Sequence, residues 1–298
     1  MWIIKHRRIF LGISAALIVL SIAALVLWGL KLGIDFKGGS LLEAKFPAGR
    51  PDKNVLAEAL KPLDLGTVTI QPVGTNGILI RAKDINEQKH QEVLKALKEK
   101  ASEQKIEEER FESIGPVIGQ ELKNRALWAI VLVLVMIVIY IAYAFRKISR
   151  PVSSWRYGLA ALIALAHDVI IPAGIFASMG HFLGKEADLL FVTALLTILG
   201  FSVHDTIVVF DRIRENLRRG GGKDFQETVG LSINQTLTRS INTSFTVLLT
   251  LLAIYFFGGV SIKDFSLILI LGIFFGTYSS IFIASPLLVE WEGWRNRK

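Results

Sequence analysis

Cysteine is absent from the 298 residues, and disulfide frameworks, Cys-ligated zinc, iron–sulfur clusters and thiolate catalysis are excluded with it. Charge is scarce as well. Asp, Glu, Lys and Arg make up 20% of the chain, while apolar residues reach 52% and gather in long runs that a water-soluble core does not require. No nucleophile–base pair, phosphate loop or metal-ligand spacing stands out, so the expectation is a protein that is not an enzyme, with no cofactor and no metal. The 34 basic and 26 acidic residues leave a net charge of +8, and where that charge sits matters more than its size.

A hydrocarbon core about 30 Å thick needs roughly 20 apolar residues of helix. Ile9–Trp28, Ala126–Phe145, Tyr157–Ser178, Leu189–Phe210, Asn242–Phe257 and Phe265–Val289 meet that requirement, which predicts six spans. Lys5, His6, Arg7 and Arg8 precede the first run as in a signal peptide. The run is too long for one and no small-residue cleavage site follows, so it reads as a retained anchor. Basic residues concentrate before the first span, at Arg146, Lys147, Arg150 and Arg156, from Arg212 to Arg239, and at Arg295, Arg297 and Lys298. The two short loops on the opposite side hold only Lys185 and Lys263. The positive-inside rule then puts both termini in the cytoplasm. In the long segment after the first span the acidic residues nearly cancel the basic ones, so the positive charge is a topology signal and requires no nucleic-acid partner.

The expected organisation is an N-terminal segment with the first span (residues 1–29), an outer domain (30–124), and a five-span bundle (125–298) with a cytoplasmic loop near 211–238. Periodicity in the outer segment differs from that of the spans. Leu41–Phe46 alternates like a strand, Asp52–Leu63 has helical spacing, and Thr67–Val73 and Ile78–Lys83 flank a turn at Thr75–Asn76–Gly77. Asn86–Ser102 is an amphipathic helix with Val93, Leu94 and Leu97 on its apolar stripe, and Glu108–Ile114 closes the series. This β-α-β-β-α-β order predicts a ferredoxin-like α+β domain on an α-helical polytopic membrane protein. Gly33–Ile34–Asp35–Phe36–Lys37–Gly38–Gly39 reads as a tight entry into that domain, and Gly115, Pro116 and Gly119 read as a hinge leading out of it.

Ionisable side chains are costly at membrane depth, so each one inside a span is a candidate for function. His167 and Asp168 lie near the middle of the third span, His204 and Asp205 in the inner part of the fourth, and Arg239 at the start of the fifth. At 1.5 Å rise per residue, Asp205 lies roughly 25 Å from the outer end of its span and Arg239 roughly 28 Å from the outer end of its own. Similar depth allows an ion pair that holds the carboxylate charged until a proton or a movement separates the partners. Thr243, one turn beyond Arg239, extends a hydrogen-bonding path on the same face. The alternatives are that Arg239 snorkels to the surface as an anchor and that Asp168 is either a second relay or a helix–helix hydrogen-bond partner. His167 and His204 each adjoin an Asp, but sequence neighbours point to different faces of a helix, which argues against a metal site.

Two further patterns are weaker. Gly220–Gly221–Gly222–Lys223–Asp224 lacks the first glycine and the Ser or Thr of a phosphate loop, and no strand precedes it. Gly272, Gly276, Ser280 and Ala284 form a small-residue stripe suited to close helix contact, with a partner helix in this chain or another.

Taken together, these residues are similar to the SecF subunits of the bacterial SecD/SecF protein-export family. The resemblance covers nearly the whole chain. It rests on Gly33–Ile34–Asp35–Phe36 with Gly38–Gly39, on Ala166–His167–Asp168–Val169, on the block from Gly200 to Asn216 that contains Val203–His204–Asp205–Thr206, and on the block from Asn234 to Ser244. Lys37 and His204 depart from the commoner pattern of that family. The resemblance implies a resistance–nodulation–division type membrane protein whose complete unit has twelve spans, so that a six-span chain pairs with a separate SecD. It further implies an accessory role at the SecYEG channel of the inner membrane, where the proton gradient draws preproteins outward after the SecA ATPase has begun export. Membrane lipids and the preprotein are then the remaining partners. Asp205, Arg239 and Thr243 correspond to the proton relay, with Asp168 and His204 as secondary candidates. Sodium stays open beside the proton, because a carboxylate among Thr and Asn oxygens serves either ion. Two rival expectations are half of a small-molecule or lipid exporter, disfavoured by the short loop after the third span, and a scaffold without ion coupling.

Overall fold

Each of the six apolar runs forms a helix long enough and apolar enough to cross a bilayer. The computed structural model describes residues 2–100, 106–144 and 153–295. In chain order, short helical turns aside, the elements are α1 (Arg7–Leu27), β1 (Gly39–Lys45), α2 (Lys53–Leu60), β2 (Thr69–Val73), β3 (Gly77–Ala82) and α3 (Glu87–Lys100). They continue with β4 (Glu107–Ile114), α4 (Pro116–Ala144), α5 (Ser154–Leu183), α6 (Leu189–Arg219), α7 (Phe225–Phe257) and α8 (Val260–Ser279). A π-helical turn at Ser280–Ala284 then leads into α9 (Ser285–Arg295). Phe145, Arg146, Lys147, Arg150, Ser102, Arg297 and Lys298, which entered the sequence argument, lie outside the described residues.

Three helices run well past their apolar runs, and each extension has a local cause. Pro116 opens α4 at a position where its missing N–H is no loss, so Gly119 lies within the first turn of that helix. Asp224 caps α7 by accepting from the Glu227 N–H at 2.6 Å, while Glu227 accepts from the Lys223 N–H at 2.9 Å. This reciprocal cap starts α7 at Phe225 and puts Arg239 several turns inside the helix, not at its start. Gly220, in the left-handed region at φ 68°, ends α6 at Arg219, and the glycine-rich segment after it connects two helix ends.

The chain divides into two compact units, Leu32–Leu127 and Met1–Lys31 with Trp128–Lys298. In the first, four antiparallel strands lie in the order β2-β3-β1-β4, the ferredoxin-like arrangement. Alternation places Leu42 and Ala44 of β1 and Ile78 and Ile80 of β3 on the buried face, with Leu42 opposite Ile80 on one side and Phe111 on the other. Leu56 and Leu60 of α2 and Val93, Leu94 and Leu97 of α3 close over them. Asp52 caps α2 by accepting from the Asn54 N–H at 2.8 Å. Gly38 (φ 79°) must be glycine, because a Cβ there would sit 2.7 Å from the Pro116 Cα. A Cβ on Gly119 would likewise sit 2.8 Å from the Gly38 nitrogen, so the entry segment and the first turn of α4 pack against each other.

In the second unit α5 and the segment from α8 through α9 are central, with 61% and 56% of their apolar windows buried, against 17% for α1, 11% for α4 and 17% for α7. Lipid tails are as apolar as leucine, so close packing holds such helices together. Small residues allow it here. Ala160, Ala161 and Ala164 of α5 are fully buried, Gly174 lies against the Ser21 backbone of α1, and Gly272 of α8 leaves no room for a Cβ beside Ile198 of α6. The stripe begun by Gly272 therefore finds its partner within this chain.

Candidate functional site

Asp205 projects from α6 into the packing between α6, α7 and α8 and is 8% exposed. Its Oδ1 accepts a hydrogen bond from the Ser240 hydroxyl of α7 at 2.6 Å. Its Oδ2 is buried with no hydrogen-bond partner among the described residues. A buried polar atom left unmatched costs about 1–3 kcal/mol, so Oδ2 is the atom at which a proton, a cation or an outside donor would be favoured. Next to it, the Thr206 and Ser280 hydroxyls meet at 2.8 Å and tie α6 to the π-turn. Ser244, one turn beyond Ser240, meets Thr277 of α8 at 2.5 Å. Toward the α6 terminus, Gln235 accepts from Arg212 at 2.7 Å and from Asn216 at 2.8 Å, adding a polar tie between α6 and α7.

Arg239 and Thr243 occupy the neighbouring face of α7 and are exposed. The Thr243 hydroxyl donates to the Arg239 carbonyl at 2.9 Å, a bond within the helix. The side chain that reaches Asp205 is thus Ser240, one position on from Arg239. A sequence signal for it existed. Ser232, Thr236, Ser240 and Ser244 recur every four residues, and all four are buried. His204 is exposed on α6, on a polar face that it shares with Thr193, Thr197 and Gly200.

Asp168 is fully buried, and both its oxygens are occupied. Oδ2 accepts from Ser202 of α6 at 2.5 Å and from Ser279 of α8 at 2.7 Å, while His167 Nδ1 contacts Oδ1 at 2.8 Å. The expectation that His167 and Asp168 point apart is corrected here, because rotamers that bend both side chains toward each other let neighbouring residues meet. The His167 ring stacks on Tyr278 with centroids 6.0 Å apart, and the Tyr278 hydroxyl donates to the Phe10 carbonyl of α1 at 3.2 Å. The four helices α1, α5, α6 and α8 are joined around this point. No cluster of His, Asp and Glu suited to a metal ion occurs among the described residues.

Comparison with known proteins agrees with this architecture. Residues 93–294 match the family described as protein export membrane protein SecD/SecF, C-terminal, and residues 29–46 match the SecD/SecF GG motif. The protein translocase subunit SecF of Thermobaculum terrenum is 47% identical over 97% of this chain and 93% of its own length. That of Anaerolinea thermophila is 41% identical over 99% of this chain and 96% of its own. The crystal structure of SecDF, a translocon-associated membrane protein from Thermus thermophilus, superposes with a TM-score of 0.82 at 34% identity over 97% of this chain. The chain spans only 38% of that longer protein. It belongs to the SecD/SecF family of protein-export membrane proteins, as one of the multi-pass SecF accessory subunits of the Sec protein translocase.

Proposed function

We propose that this chain couples an ion gradient to late preprotein export, with Asp205 as the carboxylate that takes up and releases the ion. The observation that carries the reading is the half-satisfied state of Asp205, which is buried at membrane depth with one oxygen on Ser240 and the other unmatched. One charge crossing 100 mV yields about 2.3 kcal/mol, enough to change the ratio of two conformations by roughly fiftyfold. Protonation of Asp205 weakens its tie to Ser240 and its attraction to Arg239. The helices that carry these groups then repack, and the sheet domain follows.

SecD supplies the other six spans in this reading and covers the polar face of α6 and α7 that bears His204, Arg239 and Thr243. Covered in this way, Arg239 lies in a low dielectric where its charge acts on Asp205 more strongly than at an exposed surface. The pair works beside SecYEG after SecA has begun export, in the bacterial inner membrane, with both termini in the cytoplasm and the sheet domain outside. The role requires neither an enzymatic site nor a cofactor, and the proton is the favoured ion.

The test is gradient-driven preprotein release in vesicles that hold this chain with SecD and the channel, comparing wild type with Asp205→Asn at matched complex levels. Loss of the gradient-dependent part in an assembled Asp205→Asn complex is expected, and a proton or a sodium ionophore identifies the ion by which one abolishes wild-type release. Retention of that part by the variant would sink the proposal and leave the chain as a scaffold.

A further inference from the structure

The second buried carboxylate has a different character from the first. Asp205 keeps one oxygen open, whereas Asp168 has three contacts from three elements: His167 on α5, Ser202 on α6 and Ser279 on α8. Ser202 and Asp205 lie three residues apart on α6, close to one face of the helix. Ser279 is the last residue before the π-turn, and Ser280, the first residue of that turn, holds Thr206, the neighbour of Asp205. Two hydroxyl ties therefore hold α6 on either side of Asp205 in sequence, one through Asp168 to Ser279 of α8 and one directly to Ser280 of the π-turn. A Cβ on Gly276 would sit 3.2 Å from the Ser202 Cβ and 3.6 Å from Asp168 Oδ2, so the glycine is what lets α8 come close enough for the clamp. The partner of Asp205 is referred to the same helix, since Ser240 lies one turn from Ser244, which is bonded to Thr277 of α8. Local π-helical geometry at such a crossing often marks a functional place in a helix.

We propose that Asp168 is a positioning residue for Asp205, fixing the register of α6 against α8 through Ser202, Ser279 and the π-turn so that Asp205 meets Ser240. It holds while Asp205 exchanges. The inference deepens the reading of Asp205 as the coupling carboxylate and rests on it. The titratable and charged groups around Asp205 are His204 on its own helix, Arg239 on α7, and the His167–Asp168 pair on α5. On α8 and the π-turn the polar residues of this network, Thr277, Ser279 and Ser280, are hydroxyls, with the Tyr278 phenol against His167.

The test uses the full chain assembled with SecD in membrane vesicles and an apolar carbodiimide, which modifies protonated carboxyl groups in apolar surroundings. Mass spectrometry reads the modification of the peptide containing Asp205 as a function of pH, with Asp205→Asn as the blank. Asp168→Asn and Ser279→Ala are each expected to move the midpoint of Asp205 modification by about one pH unit, and Ser279→Thr, which keeps the hydroxyl, is expected to behave as wild type. A part in folding alone would lower the yield of complex without moving the midpoint of the complex that forms. If Asp168→Asn fails to assemble with SecD, Ser279→Ala decides. An unmoved midpoint overturns the proposal, as does modification of Asp168 with a pH midpoint of its own, which would make it a relay. Wild-type Asp205 that shows no pH-dependent modification overturns it too. Labelling needs no export, so failure of this inference is distinguishable from failure of the coupling role, which is read by the release assay.

Discussion

Two aspartates at membrane depth differ by what surrounds four oxygens. A carboxylate with every oxygen matched is expensive to disturb, and one with an unmatched oxygen less so, which is the physical basis of the different roles proposed for the two. The same accounting applies to exposed carboxylates of the sheet domain, with smaller consequences. The Lys83 ammonium donates to Asp64 at 2.9 Å, and this hydrogen bond, followed by the lysine charge, holds the Asp64 carboxyl below the usual carboxylate range. A carboxyl whose pKa falls on folding contributes stability above its unfolded pKa and loses that contribution as pH falls through its folded value. Lys83→Met is therefore expected to speed amide hydrogen exchange in β3 slightly at pH 7 and to lose that effect as pH falls and Asp64 becomes protonated. An effect that persists undiminished in acid would assign the role of Lys83 to packing of its stem. Glu87 follows the same sign, lowered by hydrogen bonds from Gln91 and His90.

At the scale of elements, helix contacts are set by which residues are small. Gly272 lies against Ile198 so closely that a methyl group has no place. Overpacking of this kind costs about 1–3 kcal/mol when the backbone must give way. Gly272→Ala should accordingly lower the thermal stability of the detergent-solubilised chain, and adding Ile198→Ala, which removes all three side-chain atoms that crowd the new methyl, should restore part of the loss. A double variant no better than the single one would place the strain elsewhere. The rotation of α7 matters as much as its contacts. One face carries the buried series Ser232, Thr236, Ser240 and Ser244, and the adjoining face carries exposed Arg239, Asn242, Thr243 and Thr246. One helix thus serves Asp205 from inside and presents a polar stripe outward.

For the molecule as a whole, that outward stripe bears on partnership. Polar groups turned toward lipid are costly, and Thr193, Thr197 and His204 of α6 are exposed as well. A helical partner that covers both explains why they are tolerated. Because the sequence has no cysteine, a single introduced thiol can carry a photoactivatable crosslinker without background. Thr243→Cys and Thr246→Cys are expected to yield covalent adducts with SecD, while Ala160→Cys, buried inside α5, should yield none. Adducts with lipid alone from both α7 positions would count against SecD as the covering partner.

Much of this was legible in the sequence because it depends on local sums. Hydropathy adds along about 20 residues, so the six spans are visible without a fold. Periods of 2 and 3.6 separate strand from helix, which is why the strands at Leu41–Phe46 and Ile78–Lys83 and the apolar stripe of Val93, Leu94 and Leu97 could be read, and these meet in one small core. The cost of burying a charge singles out Asp168 and Asp205 wherever the spans end up. Partnership is of another kind. Each residue turns a helix by about 100°, so a shift of one position exchanges Arg239 for Ser240 at the Asp205 carboxylate, and depth along the axis does not reveal it. The contact of His167 with Asp168, the three-sided hold on Asp168 and the fit of Gly272 against Ile198 depend on rotation and approach of whole helices. Those are fixed when several elements pack at once, and only the tertiary structure could decide them.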